Sequence, residues 1–250
     1  MQIEILILDI ETAPHKAYVW GLYDQNVGIN QIVEPGYTLC YAAKWYGRPG
    51  VMFGSVYRHK PARMARTVHA LLDKADAVVH FNGKKFDVPT LNKEFLLNGM
   101  PPPAPFKHID LLQTCRQQFK FASNKLDYVS QVLGEGAKVE HKGMELWRGC
   151  MDGDAASWRL MEQYNRHDVR LTERLYERLK PWIKNHPNIG VYTGCDEKTC
   201  PTCGSDRLQR RGYKVANMLT YAQYQCQKCK SWSRGRHAAQ RPSPGALVAA

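Results

Sequence analysis

The sequence predicts an α/β domain, a mixed sheet flanked by helices, followed by a small metal-held module. Three observations predict it. The run "IEILILDIE" from Ile3 is apolar at nearly every position, as a strand covered on both faces requires. Strand-like and helix-like patterns then alternate through about the first 185 residues. Near the C-terminal end two C-x-x-C pairs, Cys200/Cys203 and Cys226/Cys229, stand 22 residues apart.

Composition bounds the rest. At 250 residues the chain holds one large domain and a small module, and 23% charged with 44% hydrophobic residues describes a soluble globular protein. No apolar run approaches the ~18 residues of a membrane span, so no membrane role is expected. The opening strand lacks the basic flank and cleavage site of a signal peptide, which predicts a cytoplasmic, reducing setting, or the host cytoplasm for a viral source. The formal net charge is +12, and residues 190–250 hold ten Lys and Arg against three Asp and Glu. Such an excess suits a polyanion, nucleic acid or acidic lipid, or a merely solvated basic surface.

In chain order, "YTLCYAAKWYG" and "GVMFGSVYR" make two further strands joined by a Gly-Arg-Pro-Gly turn, giving a three-strand meander. A helix runs from about Pro61 to Ala75, and "DAVVHF" is a fourth strand. "VPTLNKEFLLNG" is a helix stopped by Gly99, and "MPPPAP" a loop. After "FKHIDLLQTCRQQF" comes the helix "NKLDYVSQVLG", ending at Gly134, then a charged loop and a long helix over Met161–Leu179. These elements predict a domain at 1–187, a linker at 188–194, the module at 195–236 and a disordered tail at 237–250.

Four acidic residues stand at the ends of elements. Asp9 and Glu11 are two apart on a strand, so both project to one face, where a pair can reach one cation. Asp87 precedes Val-Pro at a helix start and equally suits an N-cap. Asp168 is a fault in the long helix: Leu160, Tyr164, Leu171, Leu175 and Leu179 recur at helical spacing, and Asp168 falls inside their apolar stripe. A carboxylate there must be hydrogen-bonded, paired or holding a cation.

On these motifs the chain resembles the DEDD exonucleases, which share a ribonuclease H-like fold, over roughly residues 3–180. "LDIET" matches the first motif, D-x-E. "NGKKFDVPTL" is similar to the N-x-x-x-F-D form of the second in family-B polymerases, and "YNRHDV" to the Y-x-x-x-D that defines the tyrosine branch. "HIDLL" and "SNKLDYVSQVLG" also look like that branch. The resemblance assigns Asp9, Glu11, Asp87 and Asp168 to two Mg²⁺ or Mn²⁺ ions. Such a pair, about 3.5–4 Å apart, activates a water and stabilises the leaving 3′ oxygen, and these hard ions take oxygen ligands. It makes the Tyr164 hydroxyl the group that orients the water. His167, adjacent to Asp168, does not have the five-residue spacing of the histidine branch, so Tyr164 is favoured over it. Thr12, Asn82, Phe86 and Lys125 are the implied contacts to the 3′-terminal nucleotides. Asn82 also suits a turn and Phe86 a core position, and Lys84 and Lys85 suit phosphate or solvent.

The four paired cysteines match one tetrahedral structural Zn²⁺, and the module resembles a zinc ribbon whose folding depends on the metal. Cys195 is a spare or an alternative ligand. Arg210, Arg211, Lys214 and Trp232, among interleaved basic and aromatic residues, suit phosphate contact and base stacking. The function implied is a stand-alone 3′-5′ exonuclease of DNA, on single-stranded or frayed 3′ ends, with RNA as an open alternative. Replication or repair proteins are possible partners through the ribbon. The rival readings are an inactive nucleic-acid or protein-binding module and a structure-specific endonuclease on the same fold.

Overall fold

The computed structural model describes residues 3–194, 198–216, 218–241 and 247, in two compact units divided near Tyr176. In the first unit the apolar opening run forms β1 (Ile5–Thr12), followed by a small ribbon of β2 (Lys16–Ala17) and β3 (Ile32–Glu34). β4 (Thr38–Trp45) and β5 (Met52–Ser55) complete the meander, turning through Gly47 and Gly50, whose φ values of 72° and 85° favour glycine. Then come α1 (Pro61–Asp73), β6 (Ala77–His80), α2 (Asp87–Leu97), β7 (Lys107–Asp110), α3 (Leu111–Gln118), α4 (Leu126–Val132), α5 (Met144–Met151) and α6 (Ala155–Leu179).

The five-stranded sheet has the order β5-β4-β1-β6-β7, antiparallel on the meander side and parallel from β1 to β7. β1 is therefore central, and its side chains alternate between two layers. Leu6, Leu8 and Ile10 pack with Met64, Val68 and Leu72 of α1 and Leu91 and Phe95 of α2. Asp9 and Glu11 take the opposite parity. Beside them Ala13, Leu39 and Cys40 pack with Leu146 and Cys150 of α5 and Trp158, Met161 and Tyr164 of α6. At ~25 cal/mol per Å² of apolar area, full burial of such side chains contributes about 1.5–3 kcal/mol each.

Two sequence expectations need correction here. The charged loop after Gly134 contains α5, and the long helix begins at Ala155, six residues before Met161. Asp154 starts it, its Oδ2 accepting from the Ser157 backbone N–H at 2.7 Å.

Between β2 and β3 the chain makes an excursion closed by Gln31. Its side chain donates to the Tyr18 carbonyl at 2.9 Å and accepts from the Gly28 N–H at 2.7 Å, and its carbonyl accepts from the Tyr18 N–H at 3.0 Å. Trp20 is 99% exposed there, alongside exposed Tyr18, Leu22, Tyr23 and Ile29.

In the second unit the expected linker is in part helical, as α7 (Ile189–Thr193), with the Asn188 side chain accepting from the Gly190 N–H at 3.0 Å. β8 (Leu208–Ala216), β9 (Leu219–Cys226) and β10 (Trp232–Gln240) form an antiparallel sheet in the order β10-β9-β8. β10 pairs with β9 as far as Gln240, so the expected tail from 237 begins as strand. Cys195 and most of residues 242–250 lie outside the described residues.

Candidate active site

Three of the four predicted carboxylates come together. Asp9 and Glu11 on β1 and Asp168 on α6 offer oxygens that all lie within 4.8 Å of one another. The strand and helix periods bring this about: residues two apart on β1 point to the layer that α6 fills, and Asp168, 1% exposed, lies on the buried stripe of α6. A bulge between Glu11 and Thr12 ends the regular pairing with β4 at this point. Asp87 stands outside the group of three, and it is not the N-cap residue of its helix. It is the first residue of α2, with Phe86 at the N-cap, and its Oδ1 accepts from the Ile10 N–H at 3.1 Å.

Burial presses all four toward the protonated form, and repulsion from the neighbouring site carboxylates adds to it at Asp9 and Glu11. Burial, then the charges of Glu11, Asp168 and Asp87, hold the Asp9 carboxyl well above its usual range. Burial pushes Glu11 up to about 8, against the opposing pull of Lys138, and pushes Asp87 up to about 7. Asp168 is also raised by burial, although Lys138 acts against it. Asp168 Oδ1 is buried and meets no hydrogen-bond donor among the described residues. Crowded oxygens, an unsatisfied lone pair and carboxylates that cannot all ionise alone fit a bound divalent cation. Asp9, Glu11 and Asp168 would hold it.

Residues that the sequence reading passed over complete the site. The Lys138 ammonium donates to the Tyr164 hydroxyl at 2.8 Å and to Asp168 Oδ2, forming an ion pair with that carboxylate. Burial works against the Lys138 charge, but the Asp168 carboxylate and Tyr164 outweigh it and hold the ammonium above its ordinary pKa. Lys138 sits in the charged loop with no periodic signal, and three contacts fix its segment. His167 Nε2 bonds the Ala137 carbonyl at 2.8 Å, Asp127 Oδ1 accepts from the Lys138 N–H at 2.8 Å, and Arg174 Nε donates to the Glu135 carbonyl at 2.8 Å. His167 thus holds the loop that delivers Lys138. Asn165, fully buried, donates from Nδ2 to Asp9 Oδ2 at 2.6 Å. The signal for it was available: Asn165 is a second polar residue on the buried stripe, three positions before Asp168.

Tyr164 is 5% exposed and packs edge-on to His141 and Trp147, at centroid distances of 4.9 and 6.1 Å. Burial holds its hydroxyl in the protonated form. Beside Lys138 runs a groove of about 620 Å³ lined by Asn82, Arg116, Asn124, Lys125 and Leu126, which joins two of the predicted contact residues. Thr12 and Phe86 do not line it; Phe86 is 45% exposed.

Asn82 adopts φ 72°, and the turn it opens is held by Asp110. Asp110 Oδ1 accepts from the N–H groups of Asn82 (3.1 Å), Leu112 (3.0 Å) and Gln113 (3.3 Å), so one carboxylate caps α3 and fixes the turn. The turn rests on His80, since a Cβ on Gly83 would fall 2.6 Å from His80 Cγ. Fully buried, His80 is pushed down to about 4 by burial and bonds His108 across 3.1 Å.

The second cluster is Cys200, Cys203, Cys226 and Cys229, whose sulfurs all lie within 4.8 Å of one another. The Sγ atoms of Cys200 and Cys229, and of Cys203 and Cys226, are 3.6 Å apart. That is close to the ~3.8 Å edge of a tetrahedron with 2.3 Å metal–sulfur arms. Burial opposes the Cys226 thiolate, but the N–H groups of Cys229 and Lys228 outweigh it and bring the thiol down to about 7. The donor set therefore fits a soft or borderline cation such as zinc.

The fold and first site define an α/β nucleic-acid-processing domain with an acidic centre on its central strand. The chain belongs to the RNase_H superfamily, whose family model matches residues 6–180. Among solved structures it is similar to the family B DNA polymerase from the hyperthermophilic archaeon Pyrobaculum calidifontis. The TM-score is 0.53 at 18% identity, over 72% of this chain and 25% of that one. At that identity the likeness is one of fold, and this chain spans a quarter of the polymerase's length. No curated protein matches the sequence. Among the described residues no helix is long and apolar enough to cross a membrane.

Proposed function

We propose that the protein is a metal-dependent 3′-5′ exonuclease of the tyrosine branch, acting on DNA at single-stranded or frayed 3′ ends, with a zinc ribbon as a nucleic-acid-binding accessory. The observation that carries this is the convergence of Asp9, Glu11 and Asp168 beside the Tyr164 hydroxyl, at the side of a groove that holds Asn82 and Lys125.

Divalent ions, when bound, supply positive charge for the scissile phosphate and make water a better nucleophile. Asp9, Glu11 and Asp168 hold that charge, and Asn165 fixes the carboxylate of Asp9. Asp87 ties α2 to β1 through Ile10 and adds negative charge near Asp9. The protonated Tyr164 hydroxyl orients the attacking water, and Lys138 fixes that hydroxyl relative to Asp168. Asn82, Arg116 and Lys125 guide the terminal nucleotides along the groove, and Thr12 and Phe86 are the outlying contacts. His167 positions the Lys138 loop.

The test is hydrolysis of 5′-labelled single-stranded DNA and RNA with Mg²⁺ or Mn²⁺. A ladder shortening from the 3′ end is expected, stronger on DNA, with circular and 3′-blocked strands spared. Cleavage of the circle would point instead to an endonuclease, and no cleavage of any strand to a binding module.

A further inference from the structure

The sheet of the second unit has two unlike faces, and strand register sorts its side chains between them. Directly paired residues on antiparallel neighbours point to the same side, and alternate residues share a side. Trp232 pairs with Gln225, Gln225 with Gln209, Arg234 with Gln223 and Lys214 with Tyr221, so all of these share one face. Arg211 joins them, its Nη1 donating to Gln209 Oε1 at 3.3 Å. The Arg234 guanidinium lies 3.9 Å from the centroid of the Tyr221 ring.

The other face carries Tyr224, with Arg210 and Ser233 paired to it. Arg210 is engaged there, donating to the Tyr213 hydroxyl at 2.7 Å and lying 5.0 Å from the centroid of that ring, a longer and internally hydrogen-bonded pairing than Arg234 on Tyr221. Leu208, Tyr224 and Ser233 border a groove of about 490 Å³ with Thr199 and Pro201 from the first cysteine knuckle; Arg234 and Arg236 reach its rim, and the Lys198 ammonium stands 5.7 Å from the Tyr224 ring.

The charge is one-signed. From Arg207 to Ala250 the sequence has nine Lys and Arg and no Asp or Glu. We propose that the face bearing Trp232, Tyr221, Arg211, Lys214 and Arg234 binds an unpaired nucleic-acid strand, and that the Tyr224 face does not. The inference rests on the exonuclease reading only for the source of its ligand.

Three features of the face select this ligand. Cations at its margins suit phosphates. Trp232, 50% exposed, and the layered Arg234–Tyr221 pair offer flat surfaces to bases. Gln209, Gln223 and Gln225 offer both donors and acceptors without charge, which suits base edges of any sequence. In a duplex the bases are already stacked on each other, leaving the aromatic rings nothing to meet; a lipid surface would leave the amides unpaired.

The test uses the full, zinc-loaded chain in an Asp168→Ala background, so that bound strands are not hydrolysed. Trp232→Ala combined with Tyr221→Ala should weaken binding of a single-stranded oligonucleotide at least about tenfold, since each stacked base contributes about 1–3 kcal/mol. Trp232→Phe should retain most of the affinity. Lys214→Gln should lower the salt slope by about 0.7, the release expected for one phosphate contact on a single strand. Arg210→Ala combined with Tyr213→Ala, on the other face, should cost less than about threefold, since no stacked base is lost. Equal or greater loss from that second pair, or an unchanged affinity for single strands in all the first-face variants, overturns the proposal. Tighter binding of duplex than of single strands, insensitive to Trp232→Ala, does the same. Hydrolysis is scored separately on wild type. Stated binding with no cleavage of any strand removes the exonuclease reading alone, and cleavage with insensitive binding removes this one alone.

Discussion

The two candidate metal centres differ in what lies beneath them. Asp9, Glu11 and Asp168 stand on a finished core, with Leu6, Leu8 and Ile10 filling the reverse face of the strand that carries two of them. The cysteine cluster has no such support. Among described residues 198–247 the buried side chains are Cys200, Thr202, Cys226 and Ser231, so the sulfurs are themselves the interior. On the proposed reading a cation at the first centre would add chemistry to a fold with its own core, whereas a cation at the second would supply the interior that the module lacks.

Removing the metal tests this contrast most severely. Chelation, or Cys200→Ser, should abolish amide protection across residues 198–240, because structural zinc contributes on the order of 10 kcal/mol to such modules. The β1–α6 unit should keep its protection and its melting transition. A ribbon that stays protected without zinc would break the comparison. Next in size, Asp9→Ala or Asp168→Ala should lower the hydrolysis rate at least about 10³-fold with folding intact, the scale of losing a key electrostatic group. Near-wild-type rates in either variant would remove these residues from the chemistry.

Tyr164→Phe, which deletes only the hydroxyl that Lys138 contacts, should slow hydrolysis by about 10²-fold. His167→Ala releases the Ala137 carbonyl and should cost less, within about tenfold. A reversed ranking at equal melting temperature would give His167 a direct role.

The smallest effect is one of pH on stability. The folded Glu11 and Asp87 carboxyls lie near 8 and 7, above their ordinary 4.5 and 3.8, so the metal-free folded state binds more protons than the unfolded chain between these limits. The stabilisation is fully present below the ordinary values and is lost as pH rises through about 7 to 8. The metal-free first unit should therefore melt at a higher temperature at pH 6 than at pH 8, by a few degrees, and Mg²⁺ should narrow the gap. Calorimetry without and with Mg²⁺ measures it; a metal-free unit more stable at pH 8 would contradict the strain assigned to these carboxyls.

How far the sequence carries to this point differs by residue. β1 is legible because a central strand needs apolar residues on both faces, and the parity of Asp9 and Glu11 follows from the two-residue repeat. Asp168 is legible as a polar fault in an apolar stripe. Lys138 is not, since its place depends on His167, Asp127 and Arg174, all distant in sequence. The Gly-rich, charged run before Met144 hid α5, of which only Leu146 and Cys150 are buried. In the ribbon, composition grouped Arg210 with Arg211, Lys214 and Trp232. Only the register, with its shift between Arg210 and Tyr213, separates it from them.

The Gln31-closed excursion bears on the choice of solvent. The excursion itself has no Lys or Arg, and Lys16 in β2 at its base is paired with Glu34 at 2.8 Å, while Trp20, Leu22 and Tyr23 stand in water. Contacts made through such a surface would strengthen in sulfate, which is excluded from apolar area, whereas the phosphate contacts proposed for Arg211 and Lys214 would weaken as salt displaces them. One molecule thus carries two surfaces with opposite salt responses. A sulfate buffer concentrated enough to release nucleic acid would therefore be the one in which this loop is most adhesive.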